Sequence, residues 1–324
     1  MQGGKERVRS GPSQCASAIL MVRPKHFGFN AETAGTNRFQ RLGPDGRVAA
    51  ADVAQHALRE FDAFAAALIA EGVKVCVVPD SDTPRKPDAV FPNNWVSFHA
   101  DGTVVLYPMH AENRRAERRP EIIETVVRET GFRVSRVLDL TRHENEGRFL
   151  EGTGSLVLDH RARVAYACRS PRTDESVARE WAREMGYELE LFTATDESGT
   201  PIYHTNVLMY VGTRIAVVTV DAIAPADRAR VSGRLVAAGL DVIAIDHAEM
   251  RAFAGNMLEV GSWDEYLGDF TILVMSETAR HALATRKYVR LYSSVDAVLA
   301  VPVEVIERHG GGGVRCMLAE IFIP

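Results

Sequence analysis

A cysteine that follows four consecutive glycines is the most chemically suggestive feature of this 324-residue chain. In GGGGVRCM, Gly310 to Gly313 lead through Val314 and Arg315 to Cys316. Glycine permits positive φ and close backbone approach, and it is costly to order. The run therefore fits either a flexible turn before a last strand or a loop whose backbone passes close to a substrate beside a nucleophilic thiol. A thiol with its ordinary pKa of about 8.5 is mostly protonated at neutral pH and needs an imidazolium or another positive field to become a thiolate. His204, in YHTNV, is of the right type to supply that charge and then to protonate a leaving group. Glu151, in FLEGTG, is suited to orient an imidazole or to pair with a cationic nitrogen. Taken singly, each has a plain alternative: a small core hydrophobe, a hydrogen-bonded strand residue and a loop carboxylate.

Their shared position in a repeated pattern favours the chemical reading. Residues 50–71 carry apolar groups at helical spacing and stop at Gly72. VKVCVVP is a strand with Cys76 on its buried face, and WVSFHADGTVVLYPM is a hairpin turning at Asp101-Gly102. The order recurs in RPEIIETVVRETG, RVSRVLDL and SLVLDHRARVAYACRS, then in DESVAREWAREMG, YELELFTAT and NVLMYVGTRIAVVTV. A fourth pass runs from PADRARVSGRLVAAG through LDVIAID to LEV and FTILVMS, with GSWDEYLGD inserted between its strands. The fifth has the helix ETARHALATRKYV, a strand region through VDAVLAVPVEVIE, and a final apolar strand whose partner is the amino-terminal AILMVRP. Five helix-strand-hairpin modules at periods of roughly 50 to 70 residues suggest a closed array. In each, the loop before the hairpin carries a residue suited to chemistry: Asn93 and Asn94, Glu151, His204, Asn256 and Cys316. Around a pseudo-fivefold axis those loops converge on one cavity.

Composition narrows the class. A hydrophobic fraction of 46% with 25% charged residues is that of a soluble globular protein, and a net charge of −5 leaves no electrostatic footprint for nucleic acid. No apolar run approaches a membrane span. Cys15, Cys76, Cys168 and Cys316 lack metal-type spacing, which argues against a zinc site or disulfide framework and for a reducing, cytoplasmic setting. A Rossmann domain would want GxGxxG directly after a strand, and the glycine cluster has only eight residues after Cys316. Residues 1–17 read as a disordered tail that includes Cys15, followed by one domain over 18–324.

The words FLEGTGSLVLD, YHTNVLMYVG and GGGGVRCM resemble the three catalytic motifs of the guanidino-group-modifying, or pentein, superfamily. MVRPKHFGFNAETAGTNRFQ, DAVFPNNWVSFH, YPMHAENRRAER and FAGNMLEV resemble its amidinotransferase-related branch, which includes citrulline-utilisation hydrolases. The resemblance spans about residues 19 to 324. It implies an α/β five-bladed propeller with Cys316 as nucleophile, His204 as general acid/base and Glu151 as their acidic support. It also implies that Asp88 stands at the first of two substrate-holding aspartates of dimethylarginine hydrolases, whereas Asn94 replaces the second. Where arginine deiminases carry an aspartate two residues after the histidine, this chain has Asn206.

A guanidinium has only donors and wants carboxylates, whereas a neutral ureido group adds a carbonyl that an amide can satisfy. Burying a cation opposite amides alone would leave its charge poorly compensated. The expected reaction is therefore citrulline to ornithine, ammonia and carbon dioxide, with Asp88, Asn93, Asn94, Asn206, Asn256 and Arg315 contacting substrate. Dimethylarginine dimethylaminohydrolase or arginine deiminase activity is the near alternative. An amidinotransferase is a third, and a non-catalytic binding module, which should have lost the cysteine or histidine, a fourth. Arg38 and Arg148 are further candidates for the substrate carboxylate, while His99, Asn113 and Arg114 read as a non-catalytic rim. No metal or organic cofactor is implied. The expected partner is a small ureido or guanidino amino acid, with homo-oligomerisation open.

Overall fold

Helices form where the apolar spacing expects them. In the computed structural model, which describes residues 13–41, 50–264 and 268–323, Ala50–Ala70 buries Val53, Ala57, Phe61, Phe64, Ala65 and Leu68 along one stripe. Glu175–Met185 starts at Asp174, whose side chain accepts from the N–H groups of Ser176 and Val177, and ends at Gly186 in the left-handed region. Among the described residues no helix is long and apolar enough to cross a membrane.

The strands are β1 (Ala18–Arg23), β2 (Val75–Pro79), β3 (Val96–Phe98), β4 (Thr103–Leu106), β5 (Arg136–Asp139), β6 (Leu156–Asp159), β7 (Val164–Cys168), β8 (Glu188–Phe192), β9 (Met209–Val211), β10 (Ile215–Val218), β11 (Asp241–Ala244), β12 (Leu258–Asp264), β13 (Gly268–Ser276), β14 (Ala297–Val301) and β15 (Ala319–Ile321). They pair as five three-stranded units of one design. An antiparallel pair, such as β6–β7 or β9–β10, takes a third strand in parallel on its outer side, β8 or β11. The fifth unit joins chain ends: β15 pairs antiparallel with β1, and β2 runs parallel to β1. One residue pair, Ile321 with Phe98, links it to the first unit as a six-stranded sheet, and the other three sheets have three strands each. The expected five modules are present. Among the described residues the strand pairing contains no closed sheet.

Three readings change. VEVIERHG extends no strand: Glu304–Gly310 is helical. Alternating β-branched residues suggested extension, but Glu60, from the helix Ala50–Ala70, accepts the N–H groups of Val305 (2.9 Å) and Ile306 (3.0 Å) and satisfies the first turn from outside. ETARHALATRKYV is two helices, Glu277–Ala282 and Thr285–Tyr292. Of the expected insert GSWDEYLGD, residues 261–264 belong to β12 and 268–269 to β13, while 265–267 lie outside the described residues.

Of the expected tail, residues 1–12 lie outside the described residues, but 13–17 are packed. Gln14 donates to the carbonyls of Leu158 (2.9 Å) and Val211 (3.0 Å) and accepts from the N–H of His160 (2.9 Å). Cys15 and Ala16 are buried, and the Ala16 carbonyl accepts from Gly261. This stretch lacks apolar periodicity because it is held by polar bonds to several units.

Candidate active site

A short helical turn leads into the first strand of four units: Pro92–Asn94, Gly152–Ser155, Thr205–Leu208 and Val314–Met317. These turns bring the candidate residues together. Glu151 is fully buried, and its Oε2 accepts from His204 Nε2 at 2.8 Å. Since a carboxylate only accepts, Nε2 carries the proton and Nδ1 the lone pair. His204 Nδ1 has no hydrogen-bond partner among the described residues. Glu151 also accepts from Arg172 Nη1 (3.3 Å) and the His110 N–H (3.0 Å), with Arg114 Nη1 at 3.9 Å. Burial alone would raise its pKa, but Arg172 and the His204 hydrogen bond outweigh it and hold the carboxyl well below the usual range.

Cys316 Sγ faces two amides, Asn256 Nδ2 at 3.4 Å and Asn206 Nδ2 at 3.5 Å. Burial pushes its thiol up despite Asn256 and Arg315, and burial pushes His204 down to about 4 despite Glu151. The resting pair is thus thiol and neutral imidazole. The expectation that an imidazolium draws out the thiolate does not hold for this state, because removing both groups from water disfavours both charges.

Cys316 and His204 line one small cavity with Asp88, Asn94, Arg114 and Arg172. Asp88 accepts from Asn30 Nδ2 (2.7 Å) and Thr33 Oγ1 (3.3 Å) through one oxygen, and its Oδ1 is buried without a partner. Arg114 Nη1 donates to Asn94 Oδ1 at 2.8 Å. A guanidinium cannot accept, so this contact fixes the amide: oxygen toward Arg114, and Nδ2 toward Asn93 Oδ1 (2.9 Å) and Gly154.

The remaining candidates are placed elsewhere. Asn93 is buried outside the cavity, with its carbonyl accepting from Thr153 at 3.4 Å. Asn256 ties Asn206, Cys316 and the Arg315 N–H together and does not line the cavity. Arg315 is not available to a substrate carboxylate in that cavity. Its guanidinium is buried against Glu320 (2.7 Å) and the Leu318 carbonyl (2.9 Å) and lines a second, small pocket. Arg38 is an exposed partner of Ser198, and Arg148 is paired with Glu146.

Two arginines that sequence reasoning missed line the cavity instead. Arg114, read as a rim residue, is buried, with Glu117 accepting from both Nε and Nη2 at 2.9 Å. Arg172 is buried, donates to Thr36 Oγ1 and the Thr33 carbonyl, and lies 5.0 Å over the Tyr203 ring. Nothing distinguishes SPRTD or ENRR from a solvated surface run in the sequence, because the partners that bury them lie elsewhere: Asn94 and the Phe91 carbonyl for Arg114, and Thr33 and Thr36 of a covering segment for Arg172. That segment, residues 24–41, lies over the site: Asn37 Nδ2 donates to the carbonyls of Gly310 (3.3 Å) and Gly311 (3.2 Å). At Gly311, with φ 65°, a Cβ would meet Asn37 and the Gln40 N–H at 2.6 Å, so this glycine admits the covering segment as much as any substrate.

At Gly154 a Cβ would fall 2.6 Å from Asn94 Nδ2 and 2.7 Å from His204 Cε1. Gly154→Ala is expected to cost about 1–3 kcal/mol of stability by overpacking, read as a lower denaturation midpoint. An unchanged midpoint would mean that both side chains have room to retreat.

Fold and site define a hydrolase of the pentein superfamily acting on guanidino-type C–N bonds. The chain belongs to the family described as N,N dimethylarginine dimethylhydrolase, eukaryotic, which matches over residues 23–323. No curated protein matches it. Among solved structures, the N-terminal domain of ArgZ, an arginine dihydrolase from the ornithine-ammonia cycle in Cyanobacteria, is 17% identical with a TM-score of 0.71 over 95% of this chain and 98% of that one. AgrE with L-arginine is 18% identical at 0.71, over 95% of this chain and 40% of AgrE. A dimethylarginine dimethylaminohydrolase adduct with S-methyl-L-thiocitrulline is 18% identical at 0.61, over 94% of this chain and 99% of that one. These likenesses are of fold.

Proposed function

We propose that the protein hydrolyses citrulline to ornithine, ammonia and carbon dioxide, its five units forming the blades of a propeller around the site in a single domain. The observation that carries the substrate is the pairing of one free carboxylate oxygen, Asp88 Oδ1, with the Asn94 amide, whose oxygen Arg114 holds and whose Nδ2 has a second N–H beyond the one given to Asn93 Oδ1. A ureido group offers N–H donors to the first and a carbonyl to the second. A guanidinium would find one carboxylate and an amide donor opposing it.

In the proposed reaction Cys316 Sγ gives its proton to His204 Nδ1 and attacks the ureido carbon. The tetrahedral adduct collapses by breaking the bond to the ornithine side-chain nitrogen, which takes the proton back from His204. The S-carbamoyl group is then attacked by water, with His204 as base, freeing the thiol and carbamate, which decomposes to ammonia and carbon dioxide. Glu151 keeps the lone pair of His204 on Nδ1 and stabilises the transient imidazolium. Arg172 and Arg114 are the cations available to the substrate carboxylate.

The second reading is favoured by the family description: a methylated arginine whose cation rests on Asp88. Assaying citrulline, arginine and methylarginines, with ammonia and amine products followed separately, separates the two. Release of amine from methylarginines with none of ornithine from citrulline would overturn the proposal. Asn94→Asp is expected to lower citrulline kcat/KM about 10- to 100-fold, since a carbonyl would face an acceptor at about 1–3 kcal/mol, and to shift preference toward arginine. An unmoved citrulline-to-arginine ratio would count against the role given to this amide.

A further inference from the structure

We infer that Arg315 and Glu320 form a buried ion pair behind the nucleophile that positions Cys316 and sets the charge environment in which its thiol reacts, without touching substrate. The inference rests on the reading of Cys316 as nucleophile. Both side chains are more than nine-tenths buried, at 7% and 9% exposure. Arg315 Nη2 donates to Glu320 Oε2 at 2.7 Å and Nη1 to the Leu318 carbonyl at 2.9 Å. The pair thereby bridges the turn Val314–Met317 to β15 and pins Cys316 from behind.

On the other side, Asn256 Oδ1 accepts the Arg315 N–H at 3.2 Å while Nδ2 of the same amide faces Cys316 Sγ at 3.4 Å. Arg315 and Glu320 line a small pocket with Gln14, His160 and Asn206, and Asn206 also faces Cys316 Sγ. Asn206 thus stands between the thiol and this second pocket, which the packed residue Gln14 helps to line.

Titratable groups surround the thiol from three other units. The charged Asp88 and Arg114 come from the first, Arg172 and Glu151 from the second, and the neutral His204 and Tyr203 from the third. Glu307 flanks Gly313. Arg315 differs from these in being covalently next to Cys316 and fixed from behind. Its charge favours a thiolate, and Glu320 moderates that effect.

The test is the pH profile of iodoacetamide alkylation of the full chain, with Cys316 assigned by peptide mass. Wild type is expected to show an inflection above the ordinary thiol value of about 8.5, as burial requires. Below that inflection, Arg315→Met is expected to react roughly three- to tenfold more slowly, and Glu320→Gln roughly as much faster. Glu320→Gln is near-isosteric and still accepts from Arg315, so it carries the test alone if Arg315→Met does not fold. Rates that stay fixed, or that both move the same way as a loosened turn would move them, overturn the inference. Wild-type Cys316 inert to the reagent would overturn the nucleophile reading and the inference with it.

Discussion

Cys316→Ser is expected to lower citrulline hydrolysis by at least about 10³-fold. Sulfur is nucleophilic enough that a weak neighbouring base suffices, whereas a serine hydroxyl must surrender a far less acidic proton. Asp88 Oδ1 also lines the cavity without a partner among the described residues, but the base assigned to the thiol is His204 Nδ1, and burial has pushed that imidazole down to about 4. Such a base is better matched to a thiol than to a serine hydroxyl attacking an unactivated ureido carbon. The fold should be unaffected, because the amides of Asn206 and Asn256 that face Sγ can donate equally to a hydroxyl. The measurement is ornithine and ammonia release beside an unchanged thermal midpoint. Retention of more than a few per cent of turnover would remove Cys316 from the role of nucleophile.

His204→Ala is expected to cost about 10²- to 10⁴-fold in kcat, the range for a positioned general acid/base, while leaving Cys316 open to alkylation. The two readouts separate because of the resting protonation state. With its pKa near 4, His204 is neutral at pH 7 and contributes no positive field to the thiol, so deleting it removes proton transfer and not thiolate stabilisation. The sign follows directly: if the imidazole were charged in the free protein, the variant would raise the thiol pKa and slow alkylation in parallel with turnover. Parallel losses would therefore refute the thiol–imidazole ground state. Glu151 remains compensated in the variant by Arg172 at 3.3 Å and the His110 N–H at 3.0 Å, which is why the fold should survive.

Much of this arrangement was legible because the repeat carries it. Helical spacing over 50–70, the Asp101-Gly102 turn and the alternation of helix and hairpin are local signals, and they locate the loops before each hairpin. A residue of chemical type at an equivalent place in every loop then made Cys316, His204 and Glu151 stand out despite more than a hundred residues separating Cys316 from His204. Glu304–Gly310 was illegible because its first turn is satisfied by Glu60, some 245 positions away. Asn256 was placed at the right loop with the wrong partner: it serves the backbone and the sulfur around Cys316, a duty that residue type cannot distinguish from holding a ligand.

The arginines show the division most clearly. The sequence by itself marked the modules and the three candidate reactive residues, which follow from residue type and position in a repeat, and its family resemblance marked the amides Asn94 and Asn206 where relatives carry carboxylates. Only the tertiary structure decided which guanidinium faces the cavity. Arg315 adjoins the nucleophile yet turns away, since Glu320 and Leu318 satisfy it from β15 and the turn before it. Arg114 and Arg172 look like surface residues in the sequence and are buried at the site, because Glu117, Glu151 and the segment over 24–41 supply the acceptors that make burying a guanidinium possible. A charge goes where its partners are, and those partners lie on other parts of the chain.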